Sequence, residues 1–269
     1  MTGVLDRAFR PLHLLWLYLR MGALNELQYR ANFFVQLFQS AIALFTGLAV
    51  LALVFAHVPQ LNGWTQAELI ALMGIHMLMG GVIGTSIQPN MQRLMDDVQK
   101  GTLDFLLVKP DDAQVLASVR EVRIWSLVDV LVGAVVLVVG VGLIGNGVGF
   151  GAALAFGVAL VIGAVLIYCF WMIITTGVFW ATRMGELAEL FEGVYQSGRW
   201  PVTIYPGWLR ISLTYLVPIG LAVTVPAQAI TGRLDAGTLA ISAGFALVLL
   251  IFTRWFFRFG LKRYSGASG

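Results

Sequence analysis

Charge is scarce in this sequence. Asp, Glu, Lys and Arg make up 12% of its 269 residues, about half the share of an average soluble domain. That excludes a water-soluble globular fold, whose surface needs those side chains. Cysteine occurs once, at Cys169, so no disulfide forms within the chain. It lies in an apolar run and reads as a small core residue. The three histidines, His13, His57 and His76, are scattered and form no metal-ligand spacing. No GxxxxGK[ST] loop occurs, so the sequence offers no standard cradle for ATP phosphates. No Ser-His-acid or paired-carboxylate pattern stands out either, and the expectation is a non-enzyme that needs no cofactor of its own. The apolar run 12–19 is short, is followed by Arg20 and lacks a small-x-small site, so an uncleaved N-terminus is expected.

What is present is apolar length. Hydrophobic residues make up 59% of the chain and the mean hydropathy is +0.85. A membrane helix needs roughly 20 apolar residues to cross about 30 Å of hydrocarbon, which leaves room for about six. Residues 8–30 mix Leu12, Leu15, Leu19, Leu24 and Leu27 with Arg10, Arg20, Glu26 and Arg30, the pattern of an interfacial amphipathic helix. Spans are expected at 33–55, 67–87, 124–144, 152–181 and 239–259. Gln36, Gln39 and Ser40 polarise one face of the first span, which is expected to face protein. Trp64 suits an aromatic belt, and Gly74, Gly80, Gly81 and Gly84 permit close helix approach, Gly80 and Gly84 as a GxxxG. Asp129 is expected near the interface, neutralised by Arg123 or Arg120.

The stretch between the fourth and last spans has two readings. Residues 185–205 carry Glu186, Glu189, Glu192, Gln196 and Arg199, and each charge at mid-bilayer costs about 2.5–3.5 kcal/mol. Hydropathy alone therefore puts the fifth span at 209–230. Pro218 and Pro226 interrupt that segment, however, which suits two short helices dipping into one leaflet. Glu189, Glu192, Gln196 and Arg199 share one helical stripe that can face a polar interior. Both readings give six spans, with both termini on one side. Bases cluster before the first span, between the second and third and after the last, so that side is the cytoplasm. The net charge of +3 is spread over these flanks and forms no nucleic-acid patch.

Between the second and third spans lies a charged island at 90–110, NMQRLMDDVQKGTLDFLLVKP. Met91, Leu94, Met95 and Val98 fall on one helical face and Arg93, Asp96, Asp97 and Lys100 on the others. Gly101 is a plausible C-terminal stop. Periodicity fits equally a helix for a groove on a partner protein and a helix lying on lipid headgroups.

QKGTLDFLLVKP resembles the GTL(D/E)…L…P signature that follows the second transmembrane helix of ABC-2-type transporter permeases. PVTIYPGWLR, at 201–210, is similar to the proline-aromatic segment such permeases carry after a polar fifth helix. The resemblance implies an all-α membrane protein with six transmembrane helices, an N-terminal interfacial helix, a cytoplasmic coupling helix within 90–110, a fifth span at 187–205 and an outer re-entrant pair at 207–230. It implies a subunit of a bacterial cytoplasmic-membrane exporter that dimerises with a second copy or a similar permease. Two cytoplasmic ABC ATPase subunits would bind the ATP and Mg. On that pattern Arg93, Lys100, Gly101, Thr102, Leu103 and Asp104 would dock the ATPase.

Candidates for the translocation pathway are Met73, His76, Met77 and Gly80 on the second span and Glu192, Gln196 and Arg199 on the fifth. Methionines adapt to varied apolar ligands, and charges within a membrane are expensive and usually functional. Amphipathic or hydrophobic substrates fit the resemblance, as do polysaccharides and peptides. An ATP-independent channel, a secondary transporter or a non-transporting assembly factor are the other classes the composition admits.

Overall fold

The computed structural model describes residues 30–145, 147–181 and 185–264. The expected interfacial helix at 8–30 lies outside the described residues but for Arg30. The described chain is an all-α membrane protein. Five helices are long and apolar enough to cross a bilayer: α1 (Arg30–Phe55), the rod Gln66–Gln99, the segment Ile124–Ile144, the segment Phe150–Phe179 and the last helix, Ala236–Leu261.

The rod is the centre of the bundle. More than half of its apolar window is buried, against about a fifth in the others. It comprises α2 (Gln66–Val82), a π-helical turn at Ile83–Ile87 and α3 (Gln88–Gln99). Its 34 residues measure about 51 Å at 1.5 Å per residue, well beyond the hydrocarbon thickness. The sequence reading ended the second span at 87 and began a separate island at 90. The structure joins them without a break.

The π turn has a chemical cause. Pro89 has no N–H to give the carbonyl four residues back, and its ring crowds that carbonyl. Thr85 O instead accepts Arg123 N at 2.9 Å. Asn90 completes the junction, donating from Nδ2 to Ser86 O at 2.6 Å and Glu121 O at 2.7 Å and accepting from Glu121 N at 2.9 Å. The chain is thus stapled to the rod just before it re-enters the bundle.

After the rod come α4 (Asp104–Leu107) and α5 (Ala113–Val119), capped by Asp112, which accepts from Gln114 N and Val115 N. Then follow α6 (Leu127–Ile144) and α7 (Phe150–Thr176). α6 lies directly on α2. A Cβ at Gly81 would sit 2.6 Å from Val130 N, and Cβ atoms at Gly74 and Gly133 would strike the facing backbone. The close approach therefore uses Gly74 and Gly81 against Gly133 and Gly140, seven residues apart on each helix. Of the four glycines expected to permit close approach, Gly74 and Gly81 meet α6, while Gly80 and Gly84, the GxxxG pair, face Tyr195 and Ser126.

α8 (Gly185–Tyr195) continues as 3-10 turns at Gln196–Arg199 and Val202–Ile204. This segment runs antiparallel to the rod. Glu189 lines a cleft with Gln92, Tyr195 Oη donates to His76 O at 2.7 Å, and Thr203 O accepts from Asn62 at 2.6 Å. It traverses the bundle as a helix of only 11 residues plus tighter turns.

The helices α9 (Gly207–Leu216) and α10 (Gly220–Ile230) follow, bent by 81° at Pro218. Both ends of this pair lie at the Trp64 end of the bundle. Thr203 precedes it there, and Arg233 follows it, donating to Gly63 O at 2.8 Å and Glu68 Oε1 at 2.7 Å. Its bend reaches inward, with Ala222 against Gly163 of α7. α11 (Ala236–Leu261), capped by Asp235, closes the bundle. Trp64 is not a belt residue. It is 2% exposed, stacks under Arg233 at 4.6 Å and donates to Thr203 Oγ1 at 3.2 Å.

Candidate functional site

Two places combine the predicted functional residues: a cavity inside the bundle and the tip beyond the rod. The cavity holds about 290 Å³ and is walled by α1, α2, the start of α6 and α8 with its 3-10 continuation. All seven pathway candidates line it: Met73, His76, Met77, Gly80, Glu192, Gln196 and Arg199. They meet because α8 lies antiparallel to α2, the His76 and Tyr195 rings stacking 4.4 Å apart.

The sequence reading missed Asp129 as a member of this wall. Among the described residues no arginine pairs with Asp129. Its Oδ2 accepts from Gln36 Nε2 at 2.6 Å and its Oδ1 takes the Ser40 hydroxyl. These donors offset part of the cost of holding a carboxylate away from water. Arg120 instead pairs with Asp97 at 2.8 Å, and Arg123 donates to Gln92 at 2.9 Å. The signal was in the sequence: Gln36 and Ser40 are one turn apart in an apolar span. Gln39 is exposed and stands apart from them.

Cavity charge is of both signs, with Arg123 and Arg199 against Asp129 and Glu192. Glu192 accepts from Gln196 Nε2 at 3.1 Å. Arg199 makes no hydrogen bond or ion pair among the described residues.

At the tip, Asp97 organises the turn after α3. Its carbonyl accepts Thr102 N at 2.8 Å and Leu103 N at 3.2 Å, and its carboxylate takes the Thr102 hydroxyl at 3.0 Å. Gly101 has φ +69°, the left-handed conformation a helix stop of this kind needs. Leu103 is fully buried, so its side chain is unavailable to a partner. Within the expected docking turn, the Leu103 side chain therefore anchors the turn to the core.

The apolar face of α3 is likewise turned inward, with Met91, Leu94 and Met95 all buried. It fills this protein's own core, not a partner's groove. What the tip presents outward is Lys100 paired with Asp96 at 2.8 Å, Asp104, and the side chains of Phe105 (74% exposed) and Val108 (81% exposed). Arg93, Lys100 and Thr102 line a surface cleft of about 440 Å³ beside them.

The tip is tied back to the bundle. Arg254 of α11 donates to both Asp112 oxygens and to Gln114 Oε1 at 3.0 Å, and Gln114 and Ser118 reach Tyr168 of α7. The Arg254 guanidinium holds the Asp112 carboxyl below its ordinary value.

A family model described as "ABC-2 family transporter protein" matches residues 41–268, almost the whole described bundle. The chain belongs to the ABC-2 transporter family. No curated relative and no solved structure matches it. Membership makes this ABC-2 protein a multi-pass transport permease, of a kind that is generally a non-enzymatic membrane subunit.

Proposed function

We propose that this ABC-2 protein is the membrane subunit of an ATP-driven exporter in the bacterial cytoplasmic membrane. In this reading it works as a homo- or heterodimer with two cytoplasmic ABC ATPases, which bind the ATP and Mg. The Asp97 end of the bundle, with both termini, faces the cytoplasm, following the cluster of bases there. ATP binding closes the ATPases together, the tip moves with them, and the cavity alternates between inward- and outward-facing states.

The observation that supports this reading is the unbroken rod. One helix carries Met73, His76, Met77 and Gly80 in the cavity wall and Arg93 and Lys100 at the tip. A rigid element shared by two sites is a physical route for coupling. The docking surface in this reading is Arg93, Lys100 and Asp104 with Phe105 and Val108, while Gly101, Thr102 and Leu103 shape the turn that presents them.

The test is purification from the native membrane followed by reconstitution. An ABC ATPase is expected to co-purify, and Lys100→Glu with Asp104→Lys is expected to remove it and abolish ATP-dependent transport. Purification without any ATPase, together with unchanged transport by the charge-reversed protein, defeats the reading.

A further inference from the structure

Arg199 lies where two cavities meet. One is the mixed-charge cavity already described. The other is an apolar pocket of about 90 Å³ between α1 and α2, lined by Gly47, Val50, Leu51 and Trp200 and sharing Met73 and Arg199 with the first. Val50 is exposed, so this pocket opens on the outside of this chain's helical bundle.

Arg199 differs from the other charged groups around it. Asp129 is held by Gln36 and Ser40, Glu192 by Gln196 and Arg123 by Gln92. Arg199 makes no hydrogen bond or ion pair among the described residues. An arginine at membrane depth normally has a counter-charge, and one without marks a functional site. Its guanidinium offers five donors in a planar fork that matches a carboxylate, sulfate or phosphate. His76, whose Nδ1 also lacks a partner among the described residues, lines the same cavity.

We infer that Arg199 anchors the headgroup of an anionic amphiphile whose apolar chain leaves through the Val50–Trp200 pocket into the surrounding lipid. The pocket is small, so it takes only the first few methylene groups and the rest of the chain lies among lipid tails. The inference rests on the reading of the larger cavity as the translocation pathway and adds the chemical class of its cargo. A cationic amphiphile would be held instead by Asp129 and Glu192, but Arg199 would then stay uncompensated beside it.

The test uses the full chain in phosphatidylcholine nanodiscs. The probes are a dansyl-labelled undecanoate, the same chain ending in trimethylammonium, and inorganic phosphate. The undecanoate is expected to bind. Arg199→Gln should weaken it by about tenfold or more, the scale of one charge-assisted contact, and Arg199→Lys should restore much of the loss. Val50→Phe, which fills the pocket without touching the charge, should also weaken it. It keeps the test decisive if Arg199→Gln is not recovered folded.

Three results overturn the inference. One is tighter binding of the ammonium probe, lost on Asp129→Asn. Another is unchanged undecanoate binding in both Arg199→Gln and Val50→Phe. The third is inorganic phosphate binding as tightly as the amphiphile, which would mark a site for small anions. No nucleotide or ATPase is present, so failure here leaves the coupling reading standing, and loss of the ATPase leaves this binding intact.

Discussion

Asn90 joins three backbone groups through one side chain while 1% exposed. Asn90→Ala leaves those groups short of partners, and a loss of about 3 kcal/mol is expected from hydrogen bonds of this kind. Thermal unfolding in detergent measures it; an unchanged midpoint would mean the staple is dispensable. Asp112 gives a pH prediction. Its folded pKa lies below the ordinary 3.8 because Arg254 donates to it. The stability from this pair is therefore full above the unfolded value and is lost as pH falls through the lower folded one. Asp112→Asn keeps an acceptable helix cap but no charge. The gap between variant and parent midpoints should be constant well above pH 3.8 and narrow as pH falls below it, since the parent's advantage is electrostatic. At this scale the sequence reading was weakest. It found Asp129, Gln36 and Ser40 separately but paired Asp129 with arginines, because chain proximity stood in for the helix contact that brings α1 to α6. The motif places Leu103 in the docking turn but does not reveal that its side chain turns inward.

Glycine spacing decides how closely α2 and α6 approach. The backbones meet at Gly74, Gly81, Gly133 and Gly140, and any Cβ there collides with main chain that has nowhere to go. Gly133→Leu is expected to prevent assembly of the bundle, and Gly133→Ala to destabilise it by about 1–3 kcal/mol, the usual scale of overpacking. Gly142→Ala, where a Cβ meets nothing, is the control. Yields of monodisperse protein and unfolding midpoints separate the three. The sequence marks Gly74, Gly80, Gly81 and Gly84 alike as sites of close approach, and only Gly80 and Gly84 form the familiar four-residue motif. A seven-residue spacing is two turns of helix and serves equally, but it becomes visible only once the partner helix supplies the matching pair. The long helices themselves were legible from hydropathy, since each has an uninterrupted apolar stretch. The continuity of the rod was not, because Pro89 and the charges after it look like a terminus while the π turn and Arg123 N absorb the proline.

At the scale of the whole molecule, the all-helical membrane architecture and the ABC-2 family were both readable from the chain. The path of residues 185–230 was not decidable by hydropathy. A segment rich in glutamate traverses the bundle because its charged stripe faces a cavity, and an apolar segment turns back because Pro218 bends it against α7. A topology experiment follows. Arg210→Cys in a Cys169→Ser background should react with a membrane-impermeant thiol reagent added outside the cell and not with reagent confined to the cytoplasm. Labelling from the cytoplasm alone would reverse the orientation argued from the positive flanks.

The staple at Thr85, Asn90, Glu121 and Arg123 sits part-way along a stiff beam. On one side lie the 17 residues of α2, about 25 Å, and on the other the 12 residues of α3, about 18 Å. A beam pinned at such a fulcrum inverts and magnifies: a push at the short arm returns at the long arm in the opposite direction, about 1.4 times larger by those lengths. α6 lies on the long arm at Gly81 and Gly74 and would have to swing with it, and the far arm ends where Glu68 grips Arg233, the clasp that would resist the amplified stroke.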